Sequence, residues 1–195
     1  MDLDAFRWLL TDEGQQLLAR ATEAPDDELK AQAQLRRTAT GSAEERASRV
    51  AVALAQVTLR RKAVAKLGDD AARMYFTADG LEQATRATVS AHRAARLAAA
   101  SAGSVIDLGC GIGGDLLAFA RAGITSAGVD VDPVRVEVAR ANLAEDHHVV
   151  RECDQGTTTG GQMGGSNCRI LAGIGELIQE GHVGSSWRND VNRSG

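Results

Sequence analysis

Aromatic residues are scarce in this chain, since Phe, Trp and Tyr together make up 3% of its 195 residues. Proteins that bind single-stranded nucleic acid commonly stack bases on aromatic side chains, and this chain has few such platforms. The net charge of −4 also excludes a chain that binds nucleic acid through its overall charge. A local basic patch remains compatible with both observations, and the hydrophobic share of 44% is sufficient for a globular core.

Cysteine is also rare, with three residues and no C-x-x-C pair: Cys110, Cys153 and Cys168. This spacing argues against a disulfide framework or a zinc site and for a reducing compartment. The adjacent His147 and His148 are read as incidental, so no metal is expected. The first ten residues lack a basic segment followed by an apolar stretch, and no window reaches transmembrane length. We therefore expect a cytoplasmic protein without membrane contact.

Residues 1–100 are predicted to form a helical N-terminal region. The apolar periodicity and the capping residues indicate helices at 4–10, 11–21, 27–37, 43–67 and 81–99. Basic residues cluster near the end of the long fourth helix, at Arg60, Arg61, Lys62 and Lys66. They are either a solvated face that complements the helix dipole or a contact for RNA phosphates, and the sequence leaves both readings open.

Residues 105–132, VIDLGCGIGGDLLAFARAGITSAGVDVD, organise the rest of the chain. They predict a strand, a glycine turn, a helix, a second strand and an acidic residue at its end. Glycines at 109, 111, 113 and 114 allow a turn that few other residues could follow. Ligands bind at the carboxyl ends of strands in open parallel sheets, so this turn is the predicted binding site.

Two classes of ligand compete for this turn. The spacing Gly109-x-Gly111-x-x-Gly114 matches a dinucleotide fingerprint, in which a pyrophosphate lies on the helix N-terminus. Carboxylates at Asp107 and Asp115 would repel a phosphate there. S-adenosylmethionine has no phosphate, its ammonium suits Asp107, and its ribose diol suits Asp130. The residues therefore favour S-adenosylmethionine, with a dinucleotide as the weaker alternative.

The sequence DLGCGIGGD followed by GVDVD resembles motif I and the next acidic motif of class I S-adenosylmethionine-dependent methyltransferases. The resemblance implies an α/β fold, with the helical region beside an incomplete Rossmann-like parallel sheet. It also implies that the cofactor contacts eight residues: Asp107, Gly109, Cys110, Gly111, Gly113, Asp130, Val131 and Asp154. Asp154 would reach the adenine from the end of a third strand at 149–154, a segment that reads equally well as a loop.

The segment Tyr75-Phe76-Thr77-x-x-Gly80, followed by a helix and motif I, is similar to the trimethylguanosine-synthase-like RNA methyltransferases. It looks most like the actinobacterial members that carry a THUMP-like C-terminal region. That resemblance implies an RNA substrate and places residues 74–77 near the mouth of the active site. The alternative, that Tyr75 and Phe76 belong to the core, stays open.

The resemblance covers about residues 1–144, and from Gln155 the sequence becomes polar and glycine-rich. We predict a helical region at 1–100, a cofactor-binding half at 101–154 and a flexible or altered tail at 155–195. Amino-methylating relatives carry a catalytic loop of Asn or Asp followed by Pro-Pro, whereas the prolines here are Pro25 and Pro133. No catalytic residue can be named, the chain reads as C-terminally truncated, and its oligomeric state is not indicated. The expected function is methyl transfer from S-adenosylmethionine, and the alternative is a non-catalytic or degenerate S-adenosylmethionine-binding fragment.

Overall fold

The computed structural model describes residues 1–144 and the strand backbone at 149–152. It contains helices and a parallel sheet, which confirms the predicted α/β class. The chain divides into two compact units, Met1–Gln83 and Ala84–Gly195. The three-part division at 100 and 154 stays a prediction, and the tail predicted at 155–195 lies outside the described residues.

The first unit is helical, and side-chain caps set the starts of its helices. The side chains of Asp2, Thr11, Asp27 and Ser42 each accept the backbone N–H of the residue three positions further along the chain. Ser42 also shares a reciprocal capping box with Glu45. The elements are α1 Leu3–Leu9, α2 Asp12–Thr22, α3 Glu28–Arg36, α4 Ala43–Leu67, a 3-10 turn Gly68–Ala72 and α5 Ala78–Gln83.

Helix α4 holds the segment that follows it through side chains bonded to backbone. The buried Gln56 amide donates to the Phe76 carbonyl at 2.7 Å and accepts the Phe76 N–H at 2.9 Å. Arg60 Nε donates to the Met74 carbonyl at 3.0 Å. Lys66 Nζ donates to the carbonyls of Leu81 and Glu82 at 2.8 and 2.6 Å. A helix continuing past Glu82 would need those two carbonyls for its own hydrogen bonds.

The prediction of one continuous helix over 81–99 is therefore wrong. Helix α5 ends at Gln83, and a new helix, α6 Ala87–Ala99, begins after three non-helical residues. Lys66 occupies carbonyls on one side of this break. On the other side the Thr85 hydroxyl donates to the Asp115 carboxylate at 3.2 Å rather than facing solvent.

The segment at 74–77 contributes both to the core and to a polar cluster. Phe76 is fully buried, as the core reading predicted. The Tyr75 ring meets Phe6 edge-on, with centroids 5.7 Å apart, and its hydroxyl lies 3.0 Å from Gln15 Oε1. The Arg60 guanidinium covers the same ring at 5.0 Å. Tyr75 is thus held inside the first unit by several partners.

The second unit contains the predicted strand–turn–helix pattern. Its elements after α6 are β1 Ser104–Leu108, α7 Gly114–Arg121, β2 Thr125–Asp130, α8 Pro133–Asn142 and β3 Val149–Glu152. The strands form a three-stranded parallel sheet in the order β1-β2-β3, with Asp107 opposite Gly128 and Asp130 opposite Glu152. The open choice at 149–154 thus resolves as a strand over 149–152. This order is consistent with part of a Rossmann-like sheet.

Gly128 makes the close packing of this sheet possible. A methyl group at position 128 would lie 2.5 Å from Leu116 Cδ1 and 2.9 Å from Cys110 Cβ and Sγ. Leu116 and Cys110 belong to the buried cluster under α7 and α8, together with Ala94, Phe119, Ile124, Val136, Ala139 and Leu143. Glycine inside a strand commonly marks such a close approach, and here it seats α7 on β2.

Candidate functional site

The glycine turn between β1 and α7 has a backbone that ordinary side chains rarely adopt. Gly109, Gly111 and Gly113 have φ values of 82°, 56° and 81°. The Val129 carbonyl accepts the N–H groups of Gly109 and Cys110 at 2.8 and 3.0 Å, which ties the turn to β2. A Cβ at Gly109 or Gly111 would meet no atom of the described residues within 4 Å. Glycine is therefore required there by the backbone angles, and the surface above the turn is open to a ligand.

Asp130, at the end of β2, is bonded to that turn. Its side chain is 5% exposed. Oδ2 accepts the Gly111 N–H at 2.9 Å, and Oδ1 accepts the Asp132 N–H at 3.0 Å. Each carboxylate oxygen can accept a further hydrogen bond, so the group fits a pair of ribose hydroxyls. The next residue, Val131, is 46% exposed and adds an apolar surface beside it.

Asp107 is a partly buried carboxylate near the end of β1. Burial raises its pKa to about 6, with the Asp115 and Asp130 carboxylates adding to the effect and Arg93 opposing it. Within residues 1–144 it has no hydrogen-bond or ion-pair partner. A carboxylate in this condition is stabilised by a cation that brings its own charge. The ammonium of an amino acid supplies that charge.

Asp115, the second residue of α7, joins this group of charges. Its Oδ2 accepts hydrogen bonds from the Thr85 hydroxyl and from the Arg93 guanidinium of α6. Its Oδ1 is buried and has no hydrogen-bond partner among residues 1–144. The sequence identified Asp115 but not Thr85 or Arg93, because the packing of α6 against α7 has no short-range signature.

The net charge of the site argues against a phosphate ligand. The Asp115 and Asp130 carboxylates both raise the pKa of Asp107, and Arg93 is the cation that lowers it. A pyrophosphate at the start of α7 would meet this excess of negative charge, whereas a cationic ligand would offset it. The donor set therefore fits S-adenosylmethionine better than a dinucleotide.

Cys110 and Gly113 shape the turn from beneath. The Cys110 thiol is free and 7% exposed. Burial, followed by the Asp107 and Asp130 carboxylates, raises the pKa of this thiol to about 12. Such a thiol is a poor nucleophile, in agreement with its reading as a small turn residue. Gly113 lies against Ala139 and Leu143 of α8, where an added Cβ would be 3.4 Å from each side chain.

Asn142 is a positioning residue that the sequence did not reveal. Its Nδ2 donates to the Ile112 carbonyl at 2.8 Å and so connects the end of α8 to the glycine turn. An Asn at a helix end ordinarily reads as a terminating residue, and this contact spans 30 positions along the chain. Gly128 did carry a sequence signal, as a glycine inside a predicted strand.

Other predicted features are only partly covered by the described residues. Asp154, the predicted adenine contact, lies outside them. Residues 1–144 contain no group of three or more His, Cys, Asp or Glu side chains that could hold a metal ion. Nor does that part of the chain have a helix with the length and hydropathy needed to cross a membrane.

The basic cluster of α4 is largely occupied by contacts within the first unit. Arg61 pairs with Asp26 at 3.0 Å, while Arg60 and Lys66 bind the backbone carbonyls described above. These contacts give the cluster a structural role. Lys62 is the member for which residues 1–144 offer no such partner.

Comparison with known proteins relates different parts of the chain to different relatives. Residues 2–63 match a family model described as a domain of unknown function, DUF8688. Over 92 residues the chain is 44% identical to a protein named "uncharacterized S-adenosylmethionine-dependent methyltransferase" from Mycobacterium tuberculosis, and a second strain has a matching protein of the same name and identity. The match covers 44% of this chain and 25% of each relative. The chain thus spans about a quarter of the length of these curated relatives.

Proposed function

We propose that this chain binds S-adenosylmethionine at the glycine turn between β1 and α7 and serves methyl transfer from it. The observation that carries the proposal is Asp107, a partly buried carboxylate that has no partner within residues 1–144 and lies beside the glycine turn. Asp130 supports it, because the carboxylate keeps acceptor capacity at the neighbouring strand end. The names of the partial relatives agree with the same donor.

Each residue of the site has a proposed task. Asp107 binds the ammonium of the methionine end, and the bare backbone at Gly109, Gly111 and Gly113 admits the methionine and ribose portions. Asp130 accepts the ribose hydroxyls. Cys110 and Val131 line the site, and Asp154 reaches the adenine. The bound cofactor supplies an electrophilic methyl group on its sulfonium, so the contribution of the protein is to position donor and acceptor.

RNA is the proposed methyl acceptor, on the strength of the resemblance to trimethylguanosine-synthase-like and THUMP-like methyltransferases. The basic side chains of α4 add little support, because most of them are bonded within the first unit. Lys62 and Arg61, which is 62% exposed in a surface ion pair, are the members of the cluster that remain accessible to RNA.

Calorimetric titration with S-adenosylhomocysteine tests cofactor binding. We expect micromolar affinity for the wild type and for the control Asp69→Ala, which removes an exposed acid of the first unit. Asp130→Ala should bind at least about tenfold more weakly, because the lost hydrogen bonds are to a charged group. Circular dichroism establishes that each variant is folded. Equal affinity for Asp130→Ala, or binding of NAD in place of S-adenosylhomocysteine, would contradict the proposal.

Transfer of a labelled methyl group to total RNA tests the catalytic part. Incorporation above that of Asp130→Ala would establish activity and exclude the non-catalytic alternative. Tight cofactor binding without incorporation into RNA would remove RNA as the acceptor for this chain. The same assay on total protein then decides between another acceptor and a binding module.

A further inference from the structure

Arg93 is a cation at the edge of the glycine turn, and several of its guanidinium N–H groups have no hydrogen-bond acceptor among residues 1–144. Its side chain is 50% exposed, and one terminal nitrogen contacts the Asp115 carboxylate. Within residues 1–144 that contact is its one hydrogen bond to a side chain or ion pair. Because a guanidinium carries five N–H donors, most of them remain available to a ligand.

The Asp115 carboxylate that holds Arg93 is itself held in place. Asp115 lies in the first turn of α7, directly after the glycine turn, and also accepts a hydrogen bond from Thr85. The hydrogen bonds from Thr85 and Arg93 fix Oδ2, and Oδ1 is buried with no hydrogen-bond partner among the described residues. An arginine anchored in this way loses less conformational freedom on binding a ligand than a free one.

Arg93 also lies close enough to Asp107 to act on its charge, as the opposing effect on that carboxyl shows. An anion that is unpaired in the described part of the chain and an anchored cation thus occur at the same turn. The amino-acid end of S-adenosylmethionine has the matching pair, an ammonium and a carboxylate. If Asp107 takes the ammonium, a second group of opposite sign is needed for the carboxylate, and Arg93 is the described side chain with that chemistry.

We propose that Arg93 binds the carboxylate of the methionine end and thereby makes the site selective for the intact amino-acid zwitterion. This inference rests on the proposed function. Without Arg93, the carboxylates of Asp107, Asp115 and Asp130 would favour the more cationic, decarboxylated form of the ligand. Arg93 reverses that preference because it binds the ligand carboxylate through charge-assisted hydrogen bonds. Asp115 is a positioning residue that aims the guanidinium.

Calorimetric titration of the full chain with S-adenosylhomocysteine and with its decarboxylated analogue tests the proposal. The wild type should prefer S-adenosylhomocysteine. Arg93→Gln should lose about 10- to 100-fold in affinity for it, as expected for hydrogen bonds between charged groups. The same variant should bind the decarboxylated analogue as well as the wild type does, or more tightly. Arg96→Gln, an exposed arginine on the same helix, should leave both affinities unchanged.

Several outcomes would overturn the inference. Equal weakening of both ligands by Arg93→Gln would show that Arg93 only supports the fold, and no weakening would show that it does not contact the carboxylate. If circular dichroism shows that Arg93→Gln is unfolded, Arg93→Lys keeps the charge and should retain a reduced preference. If a folded Arg93→Lys chain loses all preference for S-adenosylhomocysteine, carboxylate binding requires the geometry of the guanidinium. If it keeps the full preference, a role for that geometry is refuted.

A wild type that binds S-adenosylhomocysteine without discriminating against the decarboxylated analogue contradicts the role of Arg93 alone. A folded wild type that binds neither ligand contradicts the proposed function as well. The two failures are therefore distinguishable in one experiment. Asp115→Asn provides the complementary result, a smaller loss for S-adenosylhomocysteine with no loss for the analogue.

Discussion

Replacing Asp107 by Asn should stabilise the folded chain while weakening cofactor binding. The carboxylate is partly buried beside Asp115 and Asp130, and burial is the main reason that its pKa rises to about 6. The neutral amide has a similar size and avoids burial of an unpaired charge. The same change removes the group proposed to bind the ammonium. Stability and affinity should therefore change in opposite directions.

The magnitude follows from the shift in pKa. A carboxyl whose pKa rises from an ordinary 3.8 to about 6 costs the folded state roughly 3 kcal/mol when ionised. Partial exposure of the side chain reduces this to about 1–2 kcal/mol. The cost is about 0.5 kcal/mol or less near pH 4 and vanishes only well below the unfolded pKa of 3.8, where the carboxyl is protonated in both states. It grows as the pH rises from about 4 to about 6 and is complete above that range.

Urea unfolding followed by circular dichroism, from pH 4 to pH 7.5, measures this effect. Asp107→Asn should exceed the wild type in free energy of unfolding by about 1–2 kcal/mol at pH 7 and by little near pH 4. Asp69→Asn, which changes an exposed acid, should show no such pH-dependent gain. A variant less stable than wild type at pH 7, or a gain independent of pH, would refute the reasoning about Asp107.

Three further predictions follow from the packing and the pKa values. Gly128→Ala should lower the free energy of unfolding by about 1–3 kcal/mol, because its methyl would collide with α7. In the same urea titration Gly103→Ala should have little effect, because its methyl would meet no described atom within 4 Å. Gln56→Leu should cost about 2–4 kcal/mol, since it leaves a buried N–H and carbonyl without partners, and the exposed Thr58→Ala serves as its control. In a chain whose other cysteines are replaced by Ser, Cys110 should react with a thiol reagent at pH 8 at least about 100-fold more slowly when folded than in urea, and equal rates would contradict its burial and raised pKa.

Local signals predicted much of the fold. Thr11 and Asp27 marked helix starts that their side chains do cap, and the bounds of α4 matched those expected. The strand–turn–helix–strand pattern around Gly109 and Asp130 was also confirmed, because it depends on residues close in sequence. Such signals arise from hydrogen bonds within one turn of chain.

Long-range contacts explain what the sequence could not show. The break before α6 depends on hydrogen bonds from Lys66 to the carbonyls of Leu81 and Glu82, which lie 15 and 16 residues further along the chain. The periodicity of the sequence does not encode such contacts. The pairing of Arg93 with Asp115 likewise depends on how two helices pack. Asp107, Gly109 and Asp130 could be selected from the motif, whereas their charges and partners required the three-dimensional arrangement.

The glycine turn between β1 and α7 is the proposed binding site for S-adenosylmethionine. Backbone amide NMR spectra of the labelled chain, recorded during titration with S-adenosylhomocysteine, test it most directly. We expect saturable shifts concentrated at Gly109, Gly111, Gly113 and Asp130. An unchanged spectrum from a folded chain, or shifts confined to the helices of the first unit, would contradict it.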